Sequence, residues 1–185
     1  MEAVMISIRP CYCADIANLI KTIEIRKSRP RLETPFKCYI YCTKGPPYLV
    51  LADVFYGNWE TEYATTHGYS REEADRIWGT MNSKVIGEFV CDDCSLLSKE
   101  HYGYIEKHGR LSPQQLKKYM GIPEGRELEY SDGCYGWHIS ELLIYDTPKE
   151  LSDFYVEDIK TFDCPSLKRM KRPPQSWCYV EGLAG

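Results

Sequence analysis

No stretch of this 185-residue chain approaches the roughly 20 consecutive apolar residues that a membrane-spanning helix needs. The N-terminus lacks the basic-then-apolar layout of a signal peptide, since Glu2 comes early and the apolar run Val4–Ile8 is too short. From these absences we expect a soluble, cytoplasmic protein with no membrane partner. Glycine-rich phosphate loops are missing, and no Gly-x-Gly-x-x-Gly follows a strand-like segment, which removes the common nucleotide-binding motifs. A Gly-x-Ser-x-Gly nucleophile elbow is missing too. The four histidines (His67, His101, His108, His138) lack metal-ligand spacing. Of these, His138 beside Trp137 in a strand-like run is the most suggestive of a site. We expect no cofactor and no metal.

What the chain does have is cysteine, and an odd number of it: nine. A disulfide framework belongs to small secreted chains with an even count, and neither condition holds. Cys38, Cys42, Cys91 and Cys178 sit in apolar runs, where a reduced thiol behaves as a small hydrophobe. Cys91-Asp-Asp-Cys94 has zinc-knuckle spacing but no second close pair: Cys11-Tyr-Cys13 is too tight, and Cys134 and Cys164 stand alone. The formal charge of −4 excludes an all-over cationic surface for long nucleic acid. Positive charge is nevertheless clustered, in Arg26–Arg31 and Lys168–Arg172. Brought together these runs would frame one patch, and apart they are two solvated loops.

The length suits one domain, 1–185, with a helical insertion expected around 57–83. Val4–Ile8 reads as a strand. Tyr12, Ile16, Leu19 and Ile20 then mark one face of a short helix. Strands are expected at 21–26, 37–42, 48–56, 84–91, 136–145 and 176–181. Gly87 marks a bulge or a close backbone approach in the strand at 84–91. Ser70-Arg-Glu-Glu73 and Ser112-Pro-Gln-Gln115 are capping boxes that open short helices, and Thr147-Pro-Lys-Glu150 opens a third through Phe154. Strands outnumber short, scattered helices, so the expected class is α+β, a small mixed β-barrel with short flanking helices.

The densest chemistry is Lys21-Thr-Ile-Glu-Ile-Arg26. With period two, Ile23 and Ile25 point to one face and Thr22, Glu24 and Arg26 to the other. That face suits a small polar or anionic ligand, and it equally suits a solvated strand. Glu88 lies in an apolar strand, where a carboxylate is costly to bury unless paired. It either meets Lys21 or Arg26 or faces water. Tyr39, Tyr41, Trp137, Trp177 and Tyr179 supply aromatic strand surface that could stack a base or fill the core.

Lys21-Thr-Ile-Glu-Ile-Arg26, after a strand and a short helix, resembles the Gly-x-Lys-x-x-Glu-x-Arg signature of the ASCH family, a branch of the PUA-like β-barrels. The runs 37–44, 84–91, 135–140 and 172–181 are similar to the version found in gut bacteria and their phages. The resemblance implies a PUA-like barrel with a signature-lined cleft that binds RNA or modified nucleosides, in places with hydrolysis. Carried onto this chain, it implies Arg26 on a phosphate or carbonyl and Lys21 as a point charge. Glu24 would accept from a base edge or orient Lys21, and Trp137 or Trp177 would stack on the base.

Two positions depart from the pattern. Leu19 stands where the signature has glycine, so the turn out of the helix is expected through Asn18, which tolerates a left-handed backbone. The small relatives that hydrolyse N4-acetylcytidine place a threonine where this chain has Glu24. Three readings stay open: an RNA or modified-nucleoside binder; an amidohydrolase on an acylated nucleoside, with Lys21, Glu24 and Glu88 catalytic; and a non-catalytic phage or host interaction scaffold.

Overall fold

Glu2–Ile8, which contains the apolar run Val4–Ile8, forms β1 and sits in the middle of a seven-stranded sheet, with Ala3–Ile6 buried. The computed structural model describes residues 2–56, 58–158 and 166–181; Cys164 and residue 57, within the expected insertion, lie outside them. In chain order follow α1 (Pro10–Ala17), β2 (Ile23–Arg26), β3 (Phe36–Cys42), β4 (Tyr48–Tyr56), β5 (Asn58–Thr66) and α2 (Arg71–Trp78). Next come β6 (Val85–Cys91), β7 (Cys94–Leu97), α3 (Tyr102–Tyr104) running into a π-type turn at Ile105–Gly109, and α4 (Pro113–Met120). The chain closes with β8 (Cys134–His138), β9 (Ser140–Lys149), β10 (Tyr155–Asp158), β11 (Ser166–Arg169) and β12 (Trp177–Glu181).

The large sheet has the order β11-β10-β12-β1-β3-β6-β9, with β1 and β3 parallel and the other neighbours antiparallel. β2, β8 and β7 form a separate antiparallel sheet, and β4–β5 a hairpin. The class is α+β as expected, but the described sheets are not closed into a barrel. β9 ends the large sheet on one side and carries Pro148, which has no N–H to extend a ladder. β11 ends it on the other, with all four residues exposed. The three-stranded sheet lies across one face of the large sheet instead of being spliced into it.

Period-two alternation divides the core. Val4, Ile6, Cys38, Ile40 and Phe89 face Trp137 and Cys94 between the sheets, joined by Cys13 and Ile16 of α1. Met5, Tyr39, Val85, Phe154 and Met170 fill the opposite face of the large sheet. Ile23, Ile25, Leu97, Leu116 and Leu128 pack on the outer face of the small sheet.

Both capping boxes form: Ser70 with Glu73 starts α2, and Ser112 with Gln115 starts α4, which ends on Gly121 at φ 78°. Gly87 sits at register shifts against both neighbouring strands, and a Cβ there would collide with the Leu143 carbonyl oxygen.

Two expected elements are corrected. The run 136–145 breaks at Ile139, so β8 joins the small sheet and β9 the large one. Thr147–Lys149 finishes β9, because an edge strand tolerates Pro148, and only a 3₁₀ turn at Leu151–Asp153 precedes the fully buried Phe154. Within the expected insertion, a strand (β5) precedes the helix α2. Among the described residues no helix is long and apolar enough to cross a membrane.

Candidate functional site

β2 puts Ile23 and Ile25 into the outer core, and the same alternation turns Glu24 and Arg26 toward the large sheet. Lys21, just before the strand, joins them. The three are nearly sealed from water, at 2%, 7% and 7% exposure for Lys21, Glu24 and Arg26. The solvated-strand alternative therefore fails for this face.

Glu24 is the hub. Its Oε2 lies 3.2 Å from Lys21 Nζ and its Oε1 3.0 Å from Arg26 Nη2. Lys21 Nζ also donates to the Gly109 carbonyl at 2.6 Å and lies 5.3 Å from the centre of the Tyr12 ring. Arg26 Nη2 donates to the Ser7 carbonyl at 2.7 Å, and Nη1 reaches Ser176 Oγ at 3.2 Å and its carbonyl at 3.4 Å. Burying ions is costly unless they are paired and their remaining donors are met, and these carbonyls do much of that. One carboxylate against two cations still leaves a formal surplus of positive charge.

Three buried polar atoms have no hydrogen-bond partner among the described residues: Glu24 Oε2, Arg26 Nε and Trp137 Nε1. Glu24 and Trp137 are direct cross-strand partners on β2 and β8, and Arg26 is two residues along the same face. The orphans therefore share one face of one small sheet: two N–H donors and one carboxylate oxygen.

The turn into this site is made by Leu19 itself, at φ 60°, while Asn18 keeps φ −86°. The expectation that Asn18 would take the left-handed backbone is corrected. Its amide is needed elsewhere: Nδ2 donates to the Tyr63 carbonyl at 2.7 Å and Oδ1 accepts from Tyr63 N at 3.1 Å. Leu19, 71% exposed, makes no packing demand that would forbid the strained conformation.

Glu88 is not part of the cluster. It stands beside Tyr39, on the face of the large sheet turned away from the small one, and accepts from Lys37 Nζ at 2.7 Å and Tyr145 Oη at 2.5 Å. Burial raises its carboxyl pKa, but these hydrogen bonds and Lys37's charge outweigh burial and hold it below the usual carboxylate value. Trp137 is completely buried, 5.7 Å from Phe36 and 5.9 Å from Trp177 between ring centres, so its ring is core and not an open stacking surface. Trp177 is half-buried, and its Nε1 donates to Ser28 Oγ at 3.1 Å. Its neighbour Tyr179, 5.5 Å away, is the exposed ring on this strand.

The two basic runs do meet. Arg31 and the Lys168–Arg172 stretch line a common groove of about 980 Å³ floored by β12. Cys91 Sγ donates to the Asp93 carbonyl at 3.2 Å, and the neighbouring Cys94 and burial push its thiol pKa up. Among the described residues no group of three or more His, Cys, Asp or Glu could hold a metal ion. His138 Nδ1 is bonded to Asp92 at 2.6 Å, with both side chains exposed.

Sequence reasoning missed the groups that complete the ion cluster: the Gly109, Ser7 and Ser176 carbonyls and the Ser176 hydroxyl. Backbone acceptors carry no residue-type signal, and only the ladder of β2 with β8 would have pointed to Trp137 Nε1.

No protein-family model and no curated relative matches the sequence. Solved structures do match. The chain superposes on ASCH from Zymomonas mobilis with a TM-score of 0.56 at 17% identity, over 97% of this chain and 87% of that one. Two single-substitution variants of the Zymomonas mobilis protein give TM-scores of 0.53 and 0.52, at 18% and 17% identity over 88% and 90% of their lengths. This chain has the ASCH fold.

Proposed function

We propose that the chain binds RNA or a modified nucleoside by reading one base at the inter-sheet face of β2 and β8. The observation that carries this is the set of three buried polar atoms on that face without a hydrogen-bond partner among the described residues, of which Glu24 Oε2 has only its ion-pair contact to Lys21. A buried N–H left unpaired costs about 1–3 kcal/mol, so a bound group that meets Arg26 Nε and Trp137 Nε1 recovers a substantial free energy. Two N–H donors and a carboxylate acceptor complement a base edge with two acceptors and one donor. A cytosine-type edge, with N3 and O2 accepting and the N4 amine donating, has that pattern. In this reading Arg26 and Trp137 donate to the base and Glu24 accepts from it. Lys21 is a positioning residue that holds the Glu24 carboxylate. The ASCH fold and the surplus positive charge of the cluster support the assignment.

Access requires the Pro174–Ser176 segment to lift. It is held by Ser7 Oγ donating to the Pro174 carbonyl at 2.7 Å and by the Arg26 contacts to Ser176. The hydrolytic alternative finds less support, because Lys21 Nζ is held between the Gly109 carbonyl and the Glu24 carboxylate. A nucleophilic amine needs a free lone pair facing the substrate.

The test is a thermal-shift and calorimetric titration with cytidine, N4-acetylcytidine and other modified nucleosides, comparing wild type with Trp137→Phe. Phenylalanine keeps a ring in the core and removes a donor that has no partner without ligand. Wild type should be stabilised by a member of the panel, and the variant should bind it about tenfold more weakly. Equal affinity in both proteins would sink the reading. Absence of any shift would favour the scaffold alternative.

A further inference from the structure

We propose that the groove on β12 holds the sugar–phosphate chain of a single-stranded RNA, so that the physiological ligand is a strand and not a free nucleoside. This rests on the base-reading function above for its direction, though the groove makes its own case.

The groove is lined by five cations, Arg31, Lys168, Arg169, Lys171 and Arg172, against three carboxylates, Glu157, Asp158 and Glu181. In a chain of formal charge −4 this is a local reversal of sign. Among the described residues Arg31, Lys171 and Arg172 have no ion-pair partner, although all three are exposed. Lys168 is paired with Asp158 at 2.9 Å, and Arg169 lies 5.8 Å from the centre of the Tyr155 ring. The three unpaired cations are thus the ones left to meet phosphates.

Tyr179 distinguishes a nucleic acid from a plain anion. It is 44% exposed, lines the groove, and its hydroxyl accepts from Arg31 N at 2.8 Å, which fixes the ring beside the cations. A cationic track with an aromatic face is the arrangement that binds single strands without reading sequence. An anionic membrane surface would use the charge, but it is flat on this scale and does not follow a groove that a single strand can enter.

The groove also connects to the base site through the covalent chain. Arg26 of the ion cluster is followed within five residues by Arg31. Ser176, which accepts from Arg26, precedes Trp177, whose ring touches Trp137, and Tyr179 lies two residues further on. At the rise of a strand, Trp177 and Tyr179 are about 7 Å apart along β12. A strand with one base at Glu24 and Trp137 would leave along this path.

The test is fluorescence anisotropy with a labelled single-stranded RNA of about ten nucleotides, a length within the usual site sizes for single strands. The groove variant is Lys171→Glu with Arg172→Glu. Its charge-matched control is Lys99→Glu with Lys107→Glu, which is exposed and remote in sequence. The groove variant should bind about tenfold more weakly or worse. Its salt slope should flatten by about 1.4, at about 0.7 for each phosphate that is no longer neutralised. Tyr179→Ala should weaken binding about tenfold by removing the stacking ring. The control should bind like wild type.

No RNA binding by wild type, an unchanged groove variant, or equal loss in groove variant and control would each overturn the proposal. So would phosphatidylserine vesicles that bind wild type while RNA does not compete. The two readings fail separately. If the nucleoside shift is absent but groove-dependent RNA binding persists, base reading is wrong and the groove stands. If the nucleoside shift survives in the groove variant and RNA affinity also does, the groove is wrong and base reading stands.

Discussion

Two clusters of charge sit on either side of the segment that leads into β12, and they are handled in opposite ways. Around Glu24 the cations are buried, paired with one carboxylate and tied to backbone carbonyls. In the groove the cations are exposed, and Arg31, Lys171 and Arg172 have no ion-pair partner among the described residues. The difference is one of dielectric. A buried charge must be answered by fixed neighbours, so it becomes structural, whereas an exposed one is answered by water and stays available to a ligand. The same residue types are therefore preset by the fold in one place and answered only by water in the other.

The sharpest way to break this comparison is Glu24→Gln. It keeps the volume but leaves Lys21 and Arg26 as two buried cations without a counter-ion. The expected loss is about 3–5 kcal/mol, read from the urea midpoint with an unchanged slope. A loss below about 1 kcal/mol would mean the cluster is wetter than its burial implies, and the contrast with the groove would collapse.

Leu19→Gly acts on the turn that delivers Lys21 to the cluster. A left-handed backbone costs a non-glycine residue about 1–2 kcal/mol, partly offset by the entropy that glycine loses on folding. The variant should therefore be more stable by about 1 kcal/mol, seen as a higher Tm. A lower Tm would show that Leu19 makes a contribution its exposure hides.

Much of the buried side was legible in sequence because it is local. The alternation of Ile23 and Ile25 with Glu24 and Arg26 fixes which side chains share a face, and the boxes at Ser70 and Ser112 start helices where they stand. Gly87 announced a close backbone approach. The rest depends on partners far along the chain. Lys21 meets a carbonyl 88 residues away and Arg26 a serine 150 residues away, and neither partner has a distinguishing residue type. The break at Ile139 is set by which sheet each half of the run can join, and periodicity cannot see that. The meeting of the two basic runs is likewise a fact of topology.

The Lys37–Glu88–Tyr145 group lies between the extremes, since the side chains of Lys37 and Glu88 are 34% and 19% exposed. Glu88→Gln should cost about 1 kcal/mol near neutral pH. Its carboxyl pKa is raised by burial but lowered further by the bonds from Lys37 and Tyr145, so the folded value sits below the ordinary 4.5. A depressed folded pKa gives stability that is present above 4.5 and lost as pH falls through the folded value. The gap between wild type and Glu88→Gln should be flat at neutral pH and close in acid. A gap that persists at low pH would assign the loss to packing instead of charge.

The smallest expected effect is at the exposed end, with Lys168→Ala. Lys168 and Asp158 approach to 2.9 Å, closer than Lys21 and Glu24 at 3.2 Å. If distance decided the matter, the groove pair would be the stronger of the two. Lys168 is 51% exposed, however, so water screens the attraction and the long side chain gives up entropy to hold one geometry. The variant should change stability by no more than about 0.5 kcal/mol, measured by the same urea titration as Glu24→Gln. A loss several times larger would mean that exposure does not govern what these ion pairs are worth. The division between a structural cluster and an available groove would then have to be drawn from geometry alone.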